Sequence, residues 1–164
     1  MPLKRITRKT IAPCGLICDL CLGAQRTKNI CPGCNIKGNK PNYCTRCIIK
    51  NCEEKKGNNQ LLCYKCRKYP CRRLKMLEKR YKTKYGESLI ENFMRIKTSG
   101  IRVFVKEADK EWRCQECGEY LCVHRAVCLH CGAKNPRYPE KIKPILNRPV
   151  SPTKGRRDKK TGTM

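Results

Sequence analysis

The chain has 164 residues, of which only 39% are apolar even with its 16 cysteines counted, and it carries a formal charge of +26. Two Phe, one Trp and seven Tyr leave few large side chains to bury, which argues against a fold resting on an apolar core alone and calls for staples, either disulfides or metal. No run approaches the ~18 apolar residues of a membrane span, and the N-terminus shows no apolar stretch of leader length, so the expected compartment is the cytoplasm, where paired cysteines are more often ligands than disulfides.

In chain order, residues 1–13 read as a basic arm with Lys4, Arg5, Arg8 and Lys9. Residues 14–71 hold eleven cysteines and almost no periodic apolar pattern. They fall into four clusters: Cys14-x3-Cys18-x2-Cys21, Cys31-Pro-Gly-Cys34, Cys44-x2-Cys47 with Cys52, and Cys63-x2-Cys66 with Cys71. All eleven are candidate metal ligands. A first site fits Cys18, Cys21, Cys31 and Cys34, and a second draws from Cys47, Cys52, Cys63, Cys66 and Cys71; sequence leaves the connectivity open. The Cys14-x3-Cys18-x2-Cys21 spacing is that of the radical S-adenosylmethionine loop, but that chemistry needs a barrel-like domain and no βα repeat is present. An iron–sulfur cluster is the alternative to zinc here, since thiolates suit both, although the compact ferredoxin run is missing.

Residues 72–112 contain no cysteine and predict helices. Leu74, Leu77, Tyr81 and Tyr85 recur at helical spacing, and Gly86 ends that run. Ser88 and Glu91 form a Ser-x-x-Glu capping box that starts a second helix, with Leu89, Ile90, Phe93, Met94 and Lys97 on one face and Gly100 as its end. Ile101, Phe104, Val105, Ala108 and Trp112 fit a third helical stripe, with a strand over 101–105 as the alternative.

Residues 113–133 carry the strongest motif: Cys114-x2-Cys117-Gly118, then ten residues from Gly118 to Val127, then Cys128-x2-Cys131-Gly132. Two residues between ligands let both sulfurs reach one tetrahedral ion at ~2.3 Å. The glycine after each second cysteine permits positive φ, so that amide hydrogens can point at sulfur. The pattern predicts a zinc ribbon held by Cys114, Cys117, Cys128 and Cys131, its knuckles joined by a strand-like segment. Cys122 and His124 are expected on one face of that strand, where they could bind a metal; the favoured reading has Cys122 as a buried small residue and His124 as a hydrogen-bonding neighbour of the site. Residues 134–164 form a basic, Pro-rich tail expected to be extended.

The charge is spread as +4 over 1–13, +8 over 14–71, +6 over 72–112, none over 113–133 and +8 over 134–164. Sixteen thiolates on four divalent ions would still leave roughly +18, more than solubility requires, which points to a polyanion. Arg72, Arg73, Lys75, Lys79, Arg80, Lys82 and Lys84 make the first helix cationic, with Arg67 and Lys68 before it and Arg156, Arg157, Lys159 and Lys160 in the tail. Tyr43, Tyr64 and Tyr69 among these cations offer base stacking. Both histidines fall in the ribbon, no Gly-rich phosphate loop occurs, and the carboxylates sit beside Lys or Arg, so no catalytic arrangement is expected.

The run Cys14-Gly15-Leu16-Ile17-Cys18-Asp19-Leu20-Cys21, then Cys31-Pro-Gly-Cys34, Cys47 to Cys52, and Cys63 to Cys71 with Leu74, resembles the cysteine-rich family called domain of unknown function 3795. The resemblance continues through Tyr85-Gly86, Ile90-Glu91-Asn92, Ile96-Lys97, Gly100 and a Cys-x2-Cys-Gly unit followed by Val-His, and so covers about residues 10–135. It implies a zinc-binding domain of prokaryotic, often archaeal, proteins and no established activity. Cys44 is additional to the pattern, and the tail lies outside it. The expected fold is therefore a small metal-stabilised α+β structure: an N-terminal zinc-knuckle module, a short helical middle, a C-terminal zinc ribbon and a basic extended tail, with three or more zinc ions. The expected function is RNA binding, on ribosomal RNA or the ribosome, without enzymatic activity. An iron–sulfur redox protein and a zinc-ribbon adaptor for a transcription or translation complex are the competing readings.

Overall fold

The computed structural model describes residues 5–55 and 62–140. Among them the chain is mostly helical, with five α-helices: α1 (Leu22–Gln25), α2 (Asn42–Thr45), α3 (Arg72–Tyr85), α4 (Leu89–Ser99) and α5 (Ile101–Glu111). Short 3-10 turns at Arg8–Thr10, Cys18–Leu20, Glu53–Lys55 and Cys63–Lys65 carry the chain between them. The β component of the expected α+β fold is reduced to three isolated antiparallel bridges among the described residues, Ile11 with Ile17, Arg113 with Tyr120 and Val127 with Lys134. Each pins the mouth of a tight loop, and the loops are too short to extend into a ladder.

The three long helices start and stop where the local chemistry requires. Gly86 caps α3 in the left-handed conformation at φ 67°. Ser88 Oγ accepts from Glu91 N at 3.1 Å to open α4. The second arm of that cap differs from the expected capping box: it comes from Glu78 on α3, whose carboxylate accepts from Ser88 Oγ (2.6 Å), Leu89 N (2.7 Å) and Ile90 N (3.1 Å). Residues 101–105 are helical, so the strand alternative is set aside. The buried face of α4 is Leu89, Asn92, Phe93 and Ile96, at helical spacing, while Met94 is exposed. Sequence placed Met94 inward because it is apolar; Ile96 takes that position and Met94 faces solvent.

Among the described residues one apolar cluster runs from Ile6 to Cys128. Residues 10–20 are buried without a break. That stretch shows no amphipathic period because it is covered on all sides: by α5, which packs on the Arg8–Thr10 turn, and by α4. Gly15 marks the closest approach. At φ 91°, a Cβ there would lie 2.9 Å from Leu89 O and 3.0 Å from the Phe93 ring, so only glycine fits. Phe93 is fully buried beneath Tyr64 and Tyr69, with ring centroids at 5.4 and 5.9 Å. The core is thus less thin than composition suggested, because cysteines and small residues fill it beside Phe93, Phe104, Leu74 and Trp112.

The C-terminal loops are tied to this body. Val123 N donates to Leu20 O at 2.9 Å, and Leu121 N to Trp112 O at 2.9 Å. Ile6 N donates to Tyr120 OH (2.8 Å) and Asp109 Oδ1 (3.1 Å), while Tyr120 OH itself donates to Asp109. Asn135 is buried and its amide donates to Cys122 O (3.0 Å) and Arg125 O (2.9 Å), closing the segment between the two cysteine pairs. No helix of the described residues is long and apolar enough to cross a membrane.

Candidate metal centre

Two loops of identical construction face each other at the end of α5. In the first, Cys114 N donates to Glu119 O at 2.8 Å and Gly118 N to Cys114 O at 2.9 Å. In the second, Cys128 N donates to Ala133 O at 2.7 Å and Gly132 N to Cys128 O at 3.0 Å. Gly118 and Gly132 hold φ 74° and 78° with open space around them, so the turn selects glycine for conformation and not for room.

The four sulfurs of Cys114, Cys117, Cys128 and Cys131 all lie within 4.8 Å of one another. Cys114 and Cys131 are 3.6 Å apart, and Cys117 and Cys128 are 3.7 Å apart. A tetrahedral ion with ~2.3 Å bonds to sulfur requires sulfur–sulfur edges of about 3.8 Å, so this quartet is spaced to hold a metal ion. Backbone amides complete the setting: those of Cys117 and Glu116 lower the Cys114 thiol pKa, while burial and the neighbouring thiols raise those of Cys117 and Cys131. Cys131 is exposed and Cys114 and Cys128 are buried, so the site opens on one edge.

His124 lies in a turn with Val123, Cys122 directly precedes it, and neither is on a strand face. Cys122 is completely buried, and burial raises its thiol pKa. His124 has both ring nitrogens engaged: Nδ1 accepts from Leu22 N at 3.3 Å, and Nε2 meets Tyr81 OH at 3.1 Å. Its ring is edge-on to Tyr81 and Tyr85, at 5.6 and 4.7 Å. His124 therefore joins Leu22, α3 and the segment between the two cysteine pairs in one contact, and burial holds it neutral.

The eleven N-terminal cysteines are spaced more widely. Among the described residues only the Cys114 quartet brings three or more ligand atoms within 4.8 Å, so the expected grouping of Cys18, Cys21, Cys31 and Cys34 is not drawn to that separation. Cys18 and Cys34 are neighbours, with Cys34 N donating to Cys18 Sγ at 3.4 Å. Cys21 and Cys31 flank Gly23, whose carbonyl accepts from Cys31 N at 2.8 Å. Cys14, Cys44 and Cys47 border this group, since the charge of Cys34 acts on both Cys14 and Cys44, and that of Cys47 does too. Cys52, Cys63, Cys66 and Cys71 instead line one cavity of about 330 Å³.

Arg72, Arg73, Lys75, Lys79 and Arg80 are all exposed along α3, as are Lys82 and Lys84. Glu78, the acid of this helix, is occupied in capping α4, so the solvent side presents cations. Arg67 and Lys68 are exposed, and Lys68 pairs with Glu54 at 2.6 Å. The tail cations Arg156, Arg157, Lys159 and Lys160 lie outside the described residues. Of the three tyrosines expected to stack on bases, Tyr64 and Tyr69 pack on Phe93, and Tyr43 alone is well exposed, at 69%. Tyrosine beside lysine reads as a stacking pair in sequence, but here the apolar ring was needed for the core. Sequence offered no signal for the roles of Glu78, Lys55 or Asn135, which depend on contacts between distant segments.

No protein-family model, curated protein or solved structure matches this chain.

Proposed function

We propose that this is a zinc-stapled RNA-binding protein of the cytoplasm that acts by binding and performs no catalysis. Zinc at Cys114, Cys117, Cys128 and Cys131 is supported by four soft donors at tetrahedral spacing with amide hydrogens aimed at sulfur. The observation that carries the RNA reading is α3: seven exposed cations on one helix, its acid withdrawn into a cap. Two of those cations, Arg72 and Arg73, sit at the positive end of the helix dipole, where like charge is unfavourable by about 0.3–1 kcal/mol each and a phosphate relieves it. Ribosomal RNA, the most abundant structured polyanion in the compartment, is the proposed target. Membership of the cysteine-rich family the chain resembles is part of the proposal and rests on the order of its cysteine motifs.

The test uses the full chain, purified with zinc, on a single-stranded RNA oligonucleotide and an RNA duplex. Affinity should fall linearly with the logarithm of salt, with a slope set by ~0.7–0.9 per phosphate contacted. A Lys75→Gln, Lys79→Gln, Arg80→Gln variant should weaken binding and reduce that slope by about 3. Salt-independent retention, or an unchanged slope in the triple variant, would remove α3 as the interface.

A further inference from the structure

The cavity lined by Cys52, Cys63, Cys66 and Cys71 is built from two stretches of chain, 49–55 and 63–74. Cys52 precedes the Glu53–Lys55 turn, Cys63 opens the Cys63–Lys65 turn, and Cys71 is the N-cap of α3. Pro13 O accepts from Cys63 N at 2.9 Å and anchors the cavity to the core. Lys68 N donates to Cys66 Sγ at 3.4 Å, the kind of amide–sulfur contact that also serves the Cys114 quartet.

Lys55 is the unexpected member. It is 5% exposed, its ammonium donates to Ile49 O at 2.5 Å, and its charge acts on the Cys63 thiol. Neither partner is a carboxylate. A buried ammonium next to a carbonyl and a neutral thiol is strongly unfavourable, whereas beside thiolates it is compensated. Lys68, Arg72 and Arg73 line the same cavity, and of its acids Glu54 is paired with Lys68. The start of α3 adds the positive end of a helix dipole at Cys71. No three of these four sulfurs lie within 4.8 Å of one another, so a bound ion would draw them inward around a cavity whose cations and helix end favour an anionic group.

We propose that Cys52, Cys63, Cys66 and Cys71 form a second tetrathiolate metal centre, a dianionic unit whose charge partner and sulfur hydrogen-bond donor is the buried Lys55 ammonium. Both a zinc ion and an oxidised four-iron, four-sulfide cluster become dianionic on four thiolates, so the same residues fit either. The centre excludes Cys47, which sequence spacing had left among the choices. It extends the metal reading above to a site of its own, independent of the Cys114 quartet and of RNA.

The full chain is purified anaerobically and assayed for zinc, iron, acid-labile sulfide and visible absorbance. Cys66→Ser with Cys71→Ser should remove one centre, either one zinc or four iron with four sulfide. Cys117→Ser with Cys131→Ser should remove a different one, and Cys47→Ser should leave the Cys66 centre in place. Lys55→Met should speed release of the Cys66 centre to a chelator about 10–100-fold and leave release from the Cys114 quartet unchanged, with Lys55→Arg restoring much of the retention. Wild-type metal content in the Cys66/Cys71 variant, loss of that centre in Cys47→Ser, or wild-type release in Lys55→Met would overturn the assignment. If the double serine variant fails to fold, the lysine pair still decides. Should the Cys114 quartet prove empty or RNA binding absent, these outcomes are unaffected.

Discussion

Phe93 tests whether the N-terminal cysteine module and the helices form one cooperative body. It is fully buried, Gly15 backs directly onto its ring, and Tyr64 and Tyr69 cover its other faces. Phe93→Ala removes a ring from a site walled by both parts of the chain, where collapse is hindered by the Gly15 backbone. The expected loss is about 3–5 kcal/mol, the range for emptying a buried aromatic position. Against a net stability of about 5–15 kcal/mol this is a large fraction. At the ~2–4 °C per kcal/mol of a chain this size, Tm should fall by roughly 6–20 °C. The assay is denaturant unfolding at saturating zinc, followed in parallel by far-UV circular dichroism and by fluorescence of Trp112, which is 3% exposed at the end of α5. Both signals should move together to the lower midpoint. A loss under 1 kcal/mol would mean that metal bonds and not this contact join the two parts. A shifted dichroism curve with an unshifted Trp112 curve would mean that the core is not continuous.

Two further outcomes follow from single groups. Glu78→Gln keeps the shape of the side chain and removes the charge that accepts from Ser88 Oγ, Leu89 N and Ile90 N, so stability should fall by about 1–2 kcal/mol in the same unfolding assay, with fraying at the start of α4 in hydrogen exchange. His124 is kept neutral first by burial and then by Arg125, so its folded pKa lies below the unfolded value of ~6.5. Its contribution is complete above that value and is lost as pH falls below it, at no more than about 1.4 kcal/mol per pH unit. The difference in stability between wild type and His124→Gln should therefore be pH-independent above pH 7 and shrink between pH 6.5 and 5; a constant difference across that range would show that protonation is not resisted at this site.

The parts of the fold that were readable from sequence are those set within one turn of chain. Gly86, Ser88 and Gly100 bound the helices because cap chemistry acts over three or four residues, and Leu74, Phe93 and Phe104 mark their inner faces by spacing alone. Cys-x2-Cys-Gly was readable for the same reason: the motif specifies its own turn, and two copies specify one tetrahedron. Residues 10–20 were not readable, since a segment covered on all sides has no polar face to create a period. Glu78 looked like a solvated helix carboxylate and Tyr64 like a stacking residue because their partners, Leu89 and Phe93, are remote in sequence. The N-terminal ligand sets stay open in the sequence for a combinatorial reason. Eleven cysteines permit many quartets, and only the cavity and a buried lysine separate Cys52, Cys63, Cys66 and Cys71 from the rest.

The excess of positive charge also bears on why metal and RNA belong to one design in the proposed reading. Helix α3 begins with two arginines and has no acid in its first turn, so by itself its N-terminus is electrostatically unfavourable. Its N-cap is Cys71, and an ionised thiolate at that position supplies the missing negative charge. Metal ligation at the proposed centre would hold that thiolate ionised. The ordering of the first turn of α3 then depends on the occupied centre. Those first-turn residues, Arg72, Arg73 and Lys75, are also the cations proposed to meet phosphate. In the proposed reading the occupied centre, whose ligand Cys71 directly precedes Arg72, sets how rigidly the interface is presented, and rigidity reduces the ordering cost that binding would otherwise incur.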